Sequence, residues 1–312
     1  MKQVAIVIPV YNEAENLALF LKETASVCDA IPGYDFTWLF VNDGSTDGTL
    51  TELRRLSSEN GQIQYLSFSR NFGKESAIYA GLQHAEGDFV ILMDGDLQHP
   101  PALIPSMLEA VTDGGFEAAG AKRKASLSSR MFTGINNRVS SVKLEKGATD
   151  FMCMSRKFVD SVLKLSESQR FSKGLFAWVG FEIKWLDYEQ GPRAGGKSKW
   201  SSSKLVHYAA DGITSFSILP LRIVTIVGAV ISLLAFIYII ATLIKTWITG
   251  IDVPGYVTTL CAILFLGGLV LLAIGILGAY IGRIYLESKD RPLYILDESS
   301  EQKDEPDEKQ SN

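Results

Sequence analysis

Apolar residues along the first half of the chain come in short runs, each followed by a polar stretch and then by apolar positions at helical spacing. Val4-Ala5-Ile6-Val7-Ile8 reads as a buried strand, and Pro9-Val10-Tyr11-Asn12-Glu13 turns off its end. From Glu13 to about Val27, Leu17, Phe20, Leu21 and Thr24 fall on one helical face. The same alternation predicts strands at Phe36 to Val41, Ile63 to Phe68, Phe89 to Met93 and about Phe116 to Ala121. Helices are predicted up to about Ser57, over Glu75 to His84 and over about Ala102 to Val111, the first of them capped by Ser45, Thr46 or Asp47. Strands alternating with helices at short intervals predict a mostly parallel sheet flanked by helices. Runs of four to six apolar residues bounded by Gly and Pro are too short for helices.

The pattern changes in the second half. Ser168 to Trp178 reads as a helix and Glu182 to Tyr188 as a strand. Lys204 to Phe216 reads as an amphipathic helix lying in a membrane interface. Leu221 to Ile244 carries one charge, Arg222 at its start, and Tyr256 to Gly282 carries none. Each is long enough to span a hydrocarbon core. Cations flank them at Lys197, Lys199, Lys204, Arg222, Arg283, Lys289 and Arg291, against a lone Lys245 in the connecting loop. The positive-inside rule therefore puts the first 200 residues and both termini in the cytoplasm of a two-span protein of the cell membrane. Gly267, Gly268, Gly275, Gly278 and Gly282 permit close helix packing, within the pair or between protomers of a homo-oligomer. Asp297 to Asn312 is acidic and without aromatics, which predicts a disordered tail. The expected layout is a catalytic domain over 1–200, an interfacial helix over 201–218, two spans within 219–284 and an acidic tail over 285–312.

Composition adds limits. Of 312 residues 47% are hydrophobic, and the net charge of −5 gives no support for nucleic-acid binding. The three cysteines, Cys28, Cys153 and Cys261, form neither a metal-ligand spacing nor a disulfide framework, which fits a reducing compartment. The amino terminus lacks a small-residue cleavage site, so no signal peptide is expected. No G-x-G-x-x-G follows a strand and no P-loop occurs, which sets aside dinucleotide enzymes and P-loop nucleotidases.

Candidate chemistry sits at the strand ends. The Phe89 strand delivers Asp94 and Asp96, with Gly95 between them and Gln98 just beyond. In open α/β sheets that edge is where ligands bind. Two carboxylates and an amide carbonyl suit Mg²⁺ or Mn²⁺ shared with a diphosphate; the plainer reading is a solvated Asp-Gly turn. His99 is adjacent and, as a lone histidine, reads as structural. Lys122 to Lys146 is rich in cations, either a solvated face or a patch that meets phosphates. Gly191 to Trp200 holds two adjacent glycines among Arg193, Lys197 and Lys199, either a connector or a lid that closes over phosphate.

Four segments taken in order carry a family resemblance: Pro9-Val10-Tyr11-Asn12-Glu13, Val41 to Thr49, Arg70-Asn71-Phe72-Gly73-Lys74 and Asp94 to Pro101. Together they resemble family 2 glycosyltransferases, and within these the polyprenyl-phosphate type, over roughly residues 1–290. The resemblance implies a nucleotide-diphospho-sugar transferase (GT-A) fold and an inverting transfer of sugar, with glucose from UDP-glucose first in line, onto undecaprenyl phosphate at the cytoplasmic face of the membrane. It implies that Pro9, Tyr11 and Glu13 line base and ribose, that Asp43 lies beside the base, and that Lys74 and Asp94 serve the nucleotide sugar. It also implies that Asp96 and Gln98 hold the metal with Asp94 nearby. Asp150, the acid of an Asp-Phe-x-x-Met pattern, is implied as general base or as orienter of the acceptor, against the alternative of a structural Asp before a strand. Arg123 is implied as a phosphate binder. Arg193, Lys197 and Lys199 match the family's Arg-x-x-Gly-x-Ser-Lys-aromatic loop for the acceptor. Two other readings stand beside this one: a processive polysaccharide synthase of the same fold, and an inactive membrane scaffold.

Overall fold

The structure is a computed structural model. It describes residues 1–300 except 125–129, 131–132, 135, 139–141, 166, 168–169, 190–218 and 250–254. The amphipathic helix expected over Lys204 to Phe216, and Arg193, Lys197 and Lys199, lie outside the described residues.

Eight strands form one sheet: β1 (Lys2–Val10), β2 (Tyr34–Asn42), β3 (Ile63–Phe68), β4 (Phe89–Leu92), β5 (Ala118–Arg123), β6 (Ala148–Ser155), β7 (Ile183–Tyr188) and β8 (Leu296–Ser299). Their order is β7-β5-β6-β4-β1-β2-β3-β8. The pairs β1–β2, β1–β4, β2–β3 and β5–β7 are parallel, whereas β6 runs antiparallel to β4 and β5, and β8 antiparallel to β3. The mostly parallel sheet expected from the alternating pattern is present.

The first strands read as unbroken apolar runs because both faces of the sheet are covered. Val4, Ile6, Ile8 and Val10 of β1 join one core cluster with Leu17 and Phe20 of α1 (Leu17–Cys28), Leu53 of α2 (Thr49–Glu59) and Leu108 of α4 (Ile104–Thr112). Ala5 and Val7 join the other, with Ala77 and Ile78 of α3 (Lys74–His84), Phe158 of α5 (Arg156–Leu163) and Phe176 of α6 (Ser172–Trp178). Ser155 caps α5, its hydroxyl accepting from Phe158 N at 3.2 Å. α1 starts four residues later than Glu13, because Glu13–Asn16 is spent on a turn closed by Asn16 N to Glu13 O, 2.9 Å.

Gly81 lets α3 lie close on β1. A Cβ built there would sit 2.2 Å from Val7 Cγ1. Overpacking of this kind costs about 1–3 kcal/mol. Gly81→Ala should lower the denaturation midpoint accordingly, which chemical unfolding of the purified protein will measure.

Beyond the sheet come two long helices, α7 (Leu219–Thr249) and α8 (Tyr256–Ser288), where two apolar helices were expected. Among the described residues one stretch, Phe265–Ser288, is long and apolar enough to cross a membrane by length and composition, with mean hydropathy 2.2. A Cβ added at Gly267, Gly268, Gly275, Gly278 or Gly282 would meet no described atom within 4 Å.

The expected disorder of Asp297 to Asn312 is corrected at its beginning. Asp297, Glu298 and Ser299 belong to β8. Local composition is overridden by partners far away in sequence: the Glu298 carboxylate takes both Arg54 Nε (2.8 Å) and Arg54 Nη2, and accepts from the Tyr65 hydroxyl at 2.7 Å.

Candidate active site

Parallel strands bring their C-terminal ends to one edge, and the loops there carry the residues singled out in the sequence. The first two loops are laced together. Asn12 N donates to Ser45 Oγ (2.9 Å), Thr46 N to Asn12 Oδ1 (2.8 Å) and Glu13 N to Thr49 Oγ1 (3.0 Å). Asn12 holds a left-handed backbone, φ 54°, uncommon for a residue with a side chain and typical of a chain held in place for a site. Pro9 near the end of β1 and Tyr11 and Glu13 on the loop are all part-exposed, and Glu13 Oε2 accepts from Asn16 Nδ2 at 2.6 Å.

Asp43, at the end of β2, is only 4% exposed. Its Oδ1 accepts from Phe72 N (2.7 Å) and Gly73 N (3.1 Å), and its Oδ2 from Gly73 N (3.0 Å). The acid anchors the Arg70–Lys74 loop from within. Gly44 beside it has φ +61°, and a Cβ there would overlap the Arg70 carbonyl carbon at 2.2 Å. Only glycine allows the two loops to approach so closely. These contacts are a second task for Asp43 that spacing alone did not reveal.

The next three groups meet because β6 is antiparallel. Leu92 of β4 pairs with Met152 of β6, and continuing that register two residues puts Asp150 opposite Asp94. The loop after β3 ends in Lys74, the first residue of α3, whose ammonium lies 2.7 Å from both Asp94 Oδ1 and Asp150 Oδ2. Lys173 of α6 adds a second cation 3.8 Å from Asp150 Oδ1. Burial would raise the Asp150 carboxyl, but Lys173 and Lys74 outweigh it and hold the acid well below the usual carboxylate range. Burial acts against the Lys74 ammonium too, yet Asp150 and then Asp94 raise its pKa. The Lys74 ammonium thus bridges the two acids.

Asp96 sits one turn further on. Its Oδ1 accepts from Gln98 N at 3.1 Å, and Leu97 between them has φ 58°. His99 is buried at 5% exposure, stacked on Phe151 with centroids 5.3 Å apart, and its Nδ1 faces Asp94 N at 3.4 Å. Burial lowers its pKa. The ring packs under the Asp94 backbone. Arg123 ends β5 at the same edge. Lys122, first among the cations of the 122–146 segment, pairs with Glu145 at 3.0 Å.

Two supporting residues escaped sequence reasoning. Lys173 follows no motif. Glu75, next to Lys74, accepts from Ser172 N (2.8 Å) and from Ser172 Oγ, pinning α6 against α3 so that Lys173 reaches Asp150. An acid directly after the Arg70–Lys74 segment was the one signal available.

Comparisons with known proteins place the chain in a family. Residues 5–161 match the glycosyl transferase family 2 model, and residues 219–284 match the GtrB C-terminal hairpin. A putative glycosyltransferase of Bacillus subtilis (strain 168), CsbB, is 45% identical over 96% of this chain and 93% of its own. The bactoprenol glucosyl transferase of Shigella phage SfV is 40% identical over 94% of this chain and 98% of its own. Among solved structures, glucosyl-3-phosphoglycerate synthase from Mycobacterium tuberculosis in complex with Mn²⁺ and UDP-glucose aligns over 67% of this chain and 76% of that one, at 17% identity and TM-score 0.45. The family model covers the strand-end loops from β1 through β6, and kinship to glycosyltransferases runs nearly the full length: this chain belongs to glycosyl transferase family 2.

Proposed function

We propose that the protein moves a sugar from a nucleotide diphosphate onto a polyprenyl phosphate, with inversion, at the cytoplasmic face of a membrane. UDP-glucose is the donor and undecaprenyl phosphate the acceptor in this reading. The observation that carries it is the Lys74 bridge, which joins an acid of the donor loop, Asp94, to an acid on the neighbouring strand, Asp150. Kinship to a bactoprenol glucosyl transferase and the match to the GtrB hairpin support a lipid-phosphate acceptor. Apolar side chains exposed along α7 and α8, among them Leu233, Leu234, Leu271 and Ile281, support burial of both helices in a bilayer.

The donor loop fits a Mg²⁺ or Mn²⁺ ion. Asp94, Asp96 and the Gln98 carbonyl offer hard oxygen ligands. Among the described residues no group of three or more His, Cys, Asp or Glu could hold a metal by itself. A Mg²⁺ or Mn²⁺ ion commonly takes one or two carboxylates and completes its shell with substrate phosphates. When bound, the ion neutralises charge on the departing diphosphate. The chain's own residues do the rest. Pro9, Tyr11 and Glu13 hold base and ribose, while Asp43 keeps the Arg70–Lys74 loop in register beside them. Asp150 orients the acceptor for in-line attack on the anomeric carbon, a positional task. A phosphate acceptor is already anionic and needs little help from a base. Arg123, with Arg193, Lys197 and Lys199, supplies charge to the two phosphates.

The test is to offer the full-length enzyme in detergent a panel of nucleotide sugars, with and without undecaprenyl phosphate, and to identify products by mass spectrometry. A single sugar attached through phosphate to the lipid is expected, with nucleoside diphosphate release dependent on lipid. A growing glycan instead would favour a processive synthase, and no release with any donor would favour an inactive scaffold.

A further inference from the structure

We propose that the segment following the second long helix, Tyr294 to Ser300, is a positioning element of the catalytic centre, holding the loop that delivers Lys74. The segment reaches the sheet at the active edge. β8 runs antiparallel to β3, with Phe68 opposite Leu296 and Leu66 opposite Ser299, so the residues before β8 lie where β3 ends. Ser69 N donates to Ile295 O at 3.0 Å. The Tyr294 ring stacks on Phe68 with centroids 4.9 Å apart and planes at 19°. Phe68 in turn meets Phe72 edge-on at 5.8 Å. The Tyr294 hydroxyl lies 3.0 Å from Gln83 Oε1 and 3.1 Å from His84 Nε2, at the far end of the helix that Lys74 begins.

Tyr294 thus grips the loop's entry, through Phe68, and the last turn of α3. Asp43 holds the same loop from inside, through Phe72 N and Gly73 N. With both sides held, Lys74 is set between Asp94 and Asp150. A strand that only covered the open β3 edge would need neither the aromatic stack nor the contacts with α3. The Arg54–Glu298 pair sits further along β8 and serves that covering role.

The proposal does not rest on the identity of donor or acceptor, and its primary readout needs neither. Full-length protein in detergent, free of substrate, is exchanged in D₂O, and the peptide covering Ser69 to Lys74 is followed. Tyr294→Ala should speed exchange there roughly tenfold. Turnover should fall by a similar factor in kcat, at temperatures well below unfolding. Tyr294→Phe keeps the stack but loses the hydroxyl contacts with α3, so exchange and kcat should fall between those of the parent and of Tyr294→Ala. Arg54→Ala should loosen β8 without changing exchange in the loop. If Tyr294→Ala does not fold, Tyr294→Leu takes its place with the same expectation. Parent-like exchange in the loop for the Ala or Leu variant overturns the proposal. So does equal loosening by Arg54→Ala, because the strand would then act only through general stability.

Discussion

Asp96→Asn should bring sugar transfer down by on the order of 10²–10³-fold while leaving the fold intact. The replacement keeps shape and removes charge. Asparagine can still accept the Gln98 N–H bond that closes the turn, so the left-handed Leu97 backbone has no reason to relax. The melting temperature should stay within about 2 °C of the parent, as for substitutions that leave packing untouched. What disappears, on the proposed assignment of Asp96 to the metal, is one anionic ligand. Losing one group that stabilises developing charge typically costs this much. The measurement is nucleoside diphosphate release at varied Mg²⁺ and Mn²⁺. Parent-like turnover in the variant, or full parent activity in excess chelator, would remove Asp96 from the metal site.

Lys74→Ala is the second large effect expected, roughly 10²-fold in turnover. Without the ammonium, Asp94 and Asp150 face each other across the gap, and among the described residues Lys173 is the cation left beside Asp150, at 3.8 Å. Repulsion should push them apart and spoil the alignment of acceptor with donor. The stability cost should be modest, about 1–2 kcal/mol, because the Lys74 side chain is 43% exposed and solvent screens the pair. The pH dependence gives a second handle. A carboxyl depressed in the folded state keeps its charge, and the stability tied to it, above its unfolded pKa of about 3.9, and loses both as pH falls through the folded value. Removing Lys74 takes away one of the groups, with Lys173 foremost, that depress Asp150. The acid limb of the variant's rate profile should therefore move upward in pH. Lys74→Ala, Asp150→Asn and the double variant, assayed together, should show losses in log turnover well short of additive. Additive losses would mean that the two residues act separately.

Much of this site was legible in the sequence because parallel strands end in polar loops on one edge. A strand that terminates in Asp94-Gly95-Asp96 announces its direction, and β4 does run parallel to β1. The direction of β6 was not legible. Phe151 to Met154 is as apolar as any other strand, and periodicity carries no sign for up or down. That sign decides whether Asp150 lies opposite Asp94 or at the far end of the sheet. The second task of Asp43 was hidden for a related reason: its partners are backbone amides, which no side-chain pattern encodes. β8 was misread because Asp297-Glu298-Ser299 has the composition of a solvated tail, and the partners that give it a place, β3 with Arg54 and Tyr65, lie more than two hundred positions earlier.

The late position of β8 also sets an order of assembly during synthesis. β3 is finished at Phe68, yet the strand that closes its outer side begins at Leu296, after both long helices have been made. At translation rates of about 5–20 residues per second, that interval lasts roughly 10–50 s. For that time a nascent chain carries a sheet margin of unpaired N–H and C=O groups, a ready template for another chain. A molecule whose hairpin stalls before the remaining residues emerge would keep that margin open, and so would display its own incompleteness to chaperones and proteases.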